Sequence, residues 1–142
     1  MHTEQLGAPA PLRRRDVEPS TWRGDVRFAT AVEVTSATRL LVTGMVGPLD
    51  ETGAVLHDQD PVAQVALSVA NLEQVLAAAG MGLPDVLRLE IATVDLDAIR
   101  EHLDLVVERF AAGACRPALW MTTVAALAQP GALLNLQAVA AA

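Results

Sequence analysis

Few side chains in this sequence can act as acids, bases or nucleophiles at a defined site. The 142 residues include three histidines, one cysteine and no tyrosine. All ten basic residues are arginine. Without lysine the chain cannot form a lysine Schiff base, which removes that class of carbonyl and amine chemistry. His2 is terminal, His57 lies beside Asp58 and Asp60, and His102 follows Glu101. None of these spacings matches a metal-ligand pattern, so no metal or other cofactor is expected. Asp95 and Asp97 read as acids at a helix start, favourable against the dipole, rather than as a catalytic pair. Cys115 follows a run of small residues and reads as a small buried hydrophobe. Arg116, just before Pro117, has two readings: an anion-holding group, or an exposed arginine at the start of a strand.

Charge narrows the partners. The formal net charge is −7. A nucleic-acid binder needs a basic footprint, because neutralising phosphates supplies most of its affinity. The one basic run, Arg13-Arg14-Arg15, is soon followed by Asp16 and Glu18. Nucleic acid is therefore not an expected partner. No apolar run approaches the roughly 20 residues of a membrane span, and the N-terminus lacks the apolar segment of a secretory signal. A cytoplasmic protein with no membrane contact is expected. A single cysteine fits a reducing compartment.

The elements that must position these groups follow from periodicity. Residues 1–24 are Pro-rich without an apolar period and read as an N-terminal extension, partly ordered, with Trp22 as an anchor. Residues 25–142 read as one domain. A first strand is expected from Val26 to Val34 and a second, denser one from Arg39 to Val46. Gly44 inside the second hints at a bulge or a close backbone approach. Asp60-Pro61 opens a helix whose stripe is Val62, Val65, Ala66, Val69, Leu72 and Leu76, ended by Gly80. A strand from Val86 to Val94 follows, with Arg88 and Glu90 on its polar face. A second helix begins at Asp95 or Asp97 and ends at Gly113. Strands at about 118–127 and 133–141 close the chain around Gln129-Pro130-Gly131. The result is an α+β domain with a mixed, approximately six-stranded sheet and two helices on one face. With half of its residues hydrophobic (52%) and only 3% aromatic, its core is built from aliphatic side chains. The last strand pair is apolar on both faces, with Val124, Leu127, Leu133, Leu134, Leu136 and Val139. That calls for cover by further copies of the chain in a symmetric oligomer.

Several stretches resemble the Rid family (reactive intermediate deaminases, also called YjgF or L-PSP proteins). Phe28-Ala29-Thr30-Ala31-Val32-Glu33-Val34 is similar to the family's opening strand. Leu41-Val42-Thr43-Gly44-Met45-Val46 resembles its hydrophobic-Ser-Gly-Gln-Ile strand, and Asp50-Glu51-Thr52-Gly53 the turn after it. Asn71-Leu72-Glu73-Gln74-Val75-Leu76-Ala77-Ala78-Ala79-Gly80 resembles its Asn-Leu-x-x-Val-Leu-x-Ala-Ala-Gly helix, which Leu83-Pro84-Asp85-Val86-Leu87-Arg88-Leu89 continues. The resemblance implies a chorismate-mutase-like fold and a homotrimer in which three sheets form a barrel with clefts between subunits.

It also implies where the chemistry departs from the family pattern. Active members bind a substrate carboxylate with the arginine of a Pro-Ala-Arg-Ser motif, a contact suited to a bidentate guanidinium. Here the stretch is Arg116-Pro117-Ala118-Leu119-Trp120-Met121, with Leu119 at the arginine position. The acid of the last strand becomes Asn135, in Asn135-Leu136-Gln137-Ala138. The first-strand tyrosine becomes Phe28, the helix asparagine becomes Leu103, and the serine before Gly44 becomes Thr43. The implied ligand site comprises Phe28, Thr43, Gly44, Leu103, Arg116, Leu119, Trp120, Met121 and Asn135. Thr43, Asn135, Gln137 and Arg116 are the candidates for any catalytic role. Losing the arginine removes a charge-assisted contact worth ~2–3 kcal/mol, and losing the acid removes the obvious acid–base group. The expected function is an atypical Rid protein that binds and transforms a small, fairly apolar metabolite, such as an imine, enamine or biosynthetic intermediate. The alternatives are a non-catalytic metabolite-binding or scaffold trimer and an ordinary enamine/imine deaminase. The ribonuclease activity carried in the name L-PSP is the weakest reading, because of the acidic charge.

Overall fold

A computed structural model describes residues 10–18, 27–113 and 115–142. Six strands and three helices follow in the order β1 (Arg13–Val17), β2 (Ala31–Thr35), β3 (Leu40–Val42), α1 (Pro61–Ala78), β4 (Val86–Thr93), α2 (Leu96–Glu101), α3 (Leu103–Ala112), β5 (Ala118–Thr123) and β6 (Leu134–Ala141). The fold is α+β with mixed pairing, as expected.

The helix starts obey their local chemistry. Asp60 caps α1 by accepting a hydrogen bond from the Ala63 N–H, and Pro61 fills the first helical position, where no N–H is needed. Gly80 takes a φ of +72°, the left-handed conformation that ends α1. Asp95 caps α2 in the same way through the Ala98 N–H. The second helix expected from the sequence is broken at His102, where the backbone N–H bonds turn back three residues, to Ile99. The break leaves Ile99, Leu103, Val106 and Phe110 in one buried stripe.

Four strands form one sheet in the order β3-β6-β4-β5. β6 runs antiparallel to β3 and β4, while β4 and β5 are parallel, as a crossover through α2 and α3 requires. Leu89 and Ile91 of β4 and Leu134, Leu136 and Ala140 of β6 are fully buried, as are Val65, Val69, Leu72 and Leu76 of α1. Among the described residues no helix covers the opposite face of the sheet. Leu40 and Val42 stand on it at 69% and 66% exposure, and Trp120 at 57%.

The expected single sheet is split in two. Among the described residues β1 and β2 pair with each other, in a two-stranded antiparallel ribbon. Its link to the larger sheet is one parallel bridge between Ala29 and Ala118, with the Ala29 N–H donating to Pro117 O at 3.1 Å. The first strand therefore starts later than the alternation implied; Val26, like Trp22, lies outside the described residues. β1 was not anticipated, because three arginines and an aspartate read as a solvated run. The strand is held by its pairing and by Arg14, which donates to Pro84 O at 2.8 Å and to Arg116 O at 3.1 Å.

The β3 ladder is interrupted and then resumes. The Thr43 N–H donates to Ala138 O, and the Val46 N–H to Leu136 O. Three steps on one strand face two on the other, so Gly44 and Met45 form a bulge. The close approach expected at Gly44 occurs instead at Gly47. A Cβ on Gly44 would meet nothing within 4 Å, whereas one on Gly47 would lie 2.5 Å from Asn135 Oδ1. Gly47→Ala is expected to destabilise the fold by about 1–3 kcal/mol through overpacking. Gly44→Ala should shift the urea midpoint very little. Equal losses in both variants would show that the bulge geometry is misassigned.

Candidate functional site

The parity of β5 decides what each residue of the Arg116–Met121 stretch can touch. Leu89 pairs with Leu119 and Ile91 with Met121. Since Leu89 and Ile91 are fully buried, Leu119 and Met121 turn to the helix side and pack against the core. Phe28 and Leu103 belong to the same core at 4% and 5% exposure. The positions where the family resemblance implies arginine, tyrosine and asparagine thus carry three side chains of one apolar cluster.

Trp120 points the other way. It pairs with Glu90 of β4, and Arg88 lies over its ring at 5.3 Å from the centroid. Arg88 also bridges to Glu90 at 2.8 Å. Gln137 of β6 is the other partner of Glu90 and is exposed. A cation–π contact and an ion pair therefore fix the indole on the open face. Arg88 and Glu90 were not among the candidates. Their alternation with buried Leu89 and Ile91 was the signal that they face away from the core.

A groove of about 370 Å³ runs where β2 diverges from β5. Thr30 and Val32 form one wall, and Arg88, Leu119 and Trp120 another. The groove combines apolar walls with few polar groups, the usual make-up of a small-molecule site.

The remaining candidates lie elsewhere. The Thr43 hydroxyl accepts from the Ala138 N–H at 2.9 Å and donates to Gly44 O at 2.9 Å. It stitches the bulge to β6, and both roles of the hydroxyl are taken. Asn135 is 2% exposed, and its Nδ2 donates to Met45 Sδ at 3.3 Å. Asn71 of α1 fixes the loop above it by donating to Gly47 O and Leu49 O. Thr43 and Gly44 follow β3, at one edge of the sheet, and Leu119, Trp120 and Met121 lie on β5, at the other. Three strand spacings, roughly 14 Å, separate the two groups. One protomer does not bring the candidate residues together.

Arg116 is engaged by the N-terminal arm. Its Nη2 donates to Glu18 Oε1 at 2.8 Å, and its Nε lies 3.7 Å from Asp16 Oδ2. A second cavity, of about 350 Å³, lies behind it, lined by Arg27, Val107, Ala111 and Cys115. The Cys115 thiol is buried and donates to Val86 O at 3.4 Å. Burial pushes its pKa up, against a smaller opposing pull from Arg14. Among the described residues no three His, Cys, Asp or Glu side chains form a metal-binding group, and no helix is long and apolar enough to cross a membrane.

The chain belongs to the Endoribonuclease L-PSP family, which it matches over residues 25–142. Solved structures agree with this assignment. A protein of unknown function of the Rid family from Yersinia pestis is 32% identical over 91% of this chain and 98% of its own, with a TM-score of 0.78. A member of the YjgF/YER057c/UK114 family from Mycobacterium tuberculosis is 27% identical over 92% of this chain and 100% of its own, with a TM-score of 0.61. A protein from Thermotoga maritima described as a putative endoribonuclease shares the fold at 23% identity, over 90% of this chain and 97% of its own, with a TM-score of 0.65. No curated protein matches the sequence.

The buried thiol yields a pH prediction. Its folded-state pKa lies above the unfolded value. The stability it brings is therefore complete below the unfolded pKa and is lost as pH rises through the folded one. Cys115→Ala should flatten the fall in melting temperature between neutral and strongly alkaline pH. An unchanged alkaline slope in that variant would contradict the buried neutral thiol.

Proposed function

We propose that this protein binds a small, fairly apolar metabolite in a cleft completed by a second copy of the chain within a homotrimer. It does so without arginine-dependent imine deamination. The observation that carries this reading is the separation of the candidate residues on opposite edges of one sheet. The β3 edge offers Thr43 and Gly44; the β5 edge offers Leu119, Trp120 and the groove beside them. Two unlike half-sites on one protomer are completed when the edge of one copy meets the opposite edge of the next. Such heterologous contacts form a ring when the rotation from one copy to the next closes, as a three-fold rotation does. The exposed Leu40, Val42 and Trp120 supply the apolar surface that a ring would cover.

Binding is favoured over transformation of the ligand. Among the four candidates for a catalytic role, the Thr43 hydroxyl is spent on the bulge, Asn135 is buried beneath the loop, and Arg116 is ion-paired. Only Gln137 is exposed and uncommitted to a described contact, and an amide is a poor acid or base. Leu119 in the arginine position adds apolar wall rather than a carboxylate clamp. The name of the family raises RNA cleavage as another activity. A net charge of −7 opposes it, since RNA would meet repulsion at long range.

Two measurements check this reading. Sedimentation equilibrium should give three times the chain mass of 14.9 kDa. Val42→Glu should shift the particle toward the single chain by placing a charge on the covered face. A wild-type monomer would rule out the shared cleft. Ligand-observed NMR with benzamide, a neutral probe with an apolar body, should show saturable binding that Leu119→Arg weakens by roughly tenfold or more through filling the groove. Binding that is indifferent to Leu119→Arg would place the ligand elsewhere.

A further inference from the structure

Glu18, one residue beyond β1, makes a set of contacts that ordinary surface pairing does not require. Its Oε1 accepts from Arg116 Nη2 at 2.8 Å and from the Thr30 N–H at 3.3 Å. Its Oε2 accepts from the Thr30 hydroxyl at 2.8 Å. A guanidinium, a backbone N–H and a hydroxyl therefore converge on one carboxylate and engage both of its oxygens. That is the donor set by which proteins recognise a carboxylate ligand.

The donors and the acceptor come from different parts of the chain. Thr30 leads into β2 and lines the groove beside Leu119 and Trp120. Arg116 precedes β5, two residues before Ala118 of the same groove wall. Glu18 arrives from the N-terminal arm, 98 residues away from Arg116 in sequence. Among the described residues, the charges around the guanidinium include Asp16, at 3.7 Å from Nε, and Arg14, whose side chain holds the Arg116 carbonyl. Arg27, on the far side, is paired with Asp104.

We propose that Arg116 and Thr30 form a carboxylate-binding site which the chain's own Glu18 occupies in the ligand-free protein. A small monocarboxylate displaces Glu18 and lays its apolar body in the adjoining groove. The internal contact is suited to displacement. The Arg116 and Glu18 side chains are 43% and 30% exposed, and ion pairs with that much solvent are weak. Being tethered, Glu18 competes at a fixed effective concentration. It lowers the apparent affinity for an external carboxylate by the fraction of time the site is open. The arm therefore sets a concentration threshold for the ligand. The position of the ligand's body rests on the groove reading given above; the position of its carboxylate does not.

The test uses the full chain and ligand-observed NMR with two probes of one shape, benzoate and neutral benzamide. Glu18→Gln should tighten benzoate binding roughly tenfold, the value of one charge-assisted contact, and leave benzamide unchanged. Arg116→Gln, alone or combined with Glu18→Gln, should abolish the benzoate response. Equal benzoate affinity in wild type and Glu18→Gln would overturn the proposal, as would benzoate binding that survives Arg116→Gln. Melting temperatures report whether β1 stays docked. If Glu18→Gln unfolds the ribbon, Glu18→Asp keeps the charge but draws the carboxylate back by one methylene. It should raise benzoate affinity in the same direction, and an unchanged affinity there counts against the proposal. Should benzamide bind no variant while benzoate follows the expected order, the carboxylate site stands and the groove reading falls.

Discussion

The register of β5 on β4 is the constraint on which the site depends. Pairing Leu119 with Leu89 and Trp120 with Glu90 fixes which side chains enter the core and which meet the open face. A slip of one residue would send Trp120 into the helix layer and Leu119 outward. The buried Leu89 and Ile91 forbid that slip, because the indole would have to fit among side chains that already fill the interior. Once the register is set, the position the family resemblance assigns to an arginine becomes an apolar wall. Phe28 and Leu103 join the same cluster, so the change extends across three elements. A guanidinium at Leu119 would need the polar partners that these two positions no longer supply.

The parts of this fold that local chemistry controls were legible in the sequence. Asp60-Pro61 and Gly80 mark the two ends of α1, and the alternation of Leu89 and Ile91 with Arg88 and Glu90 assigns the faces of β4. What escaped reading depends on contacts between distant residues. Arg13–Val17 looks like a solvated basic run until Arg14 meets the carbonyls of Pro84 and Arg116, 70 and 102 residues away. Gly44 stands within a strand pattern, yet a Cβ there would meet nothing within 4 Å. The glycine with a steric reason is Gly47, and that reason is the Asn135 side chain on another strand. The break at His102 is invisible to periodicity because the apolar stripe runs through it without interruption.

The candidate site was legible as a set of residue types, and less so as a place. Sequence similarity gathers Thr43, Gly44, Leu119, Trp120 and Asn135 into one cleft, whereas the sheet order puts β3 and β5 at opposite edges of the protomer. The proposed neighbouring copy would reconcile the two descriptions, since the missing half-site of each chain would be the spare half-site of another. The same arrangement would cover Leu40 and Val42, which are exposed on a sheet whose opposite face is packed. Polar groups that in isolation look available for catalysis, such as the Thr43 hydroxyl, are structural ties of the β3 edge.

The central proposal is that apolar packing at Leu119 leaves no place there for carboxylate-directed imine chemistry. The most direct measurement is the hydrolysis of 2-iminopropionate, generated in situ, by the purified wild-type protein. The structure predicts a rate indistinguishable from that in buffer at every protein concentration. A saturable acceleration that scales with protein would contradict it.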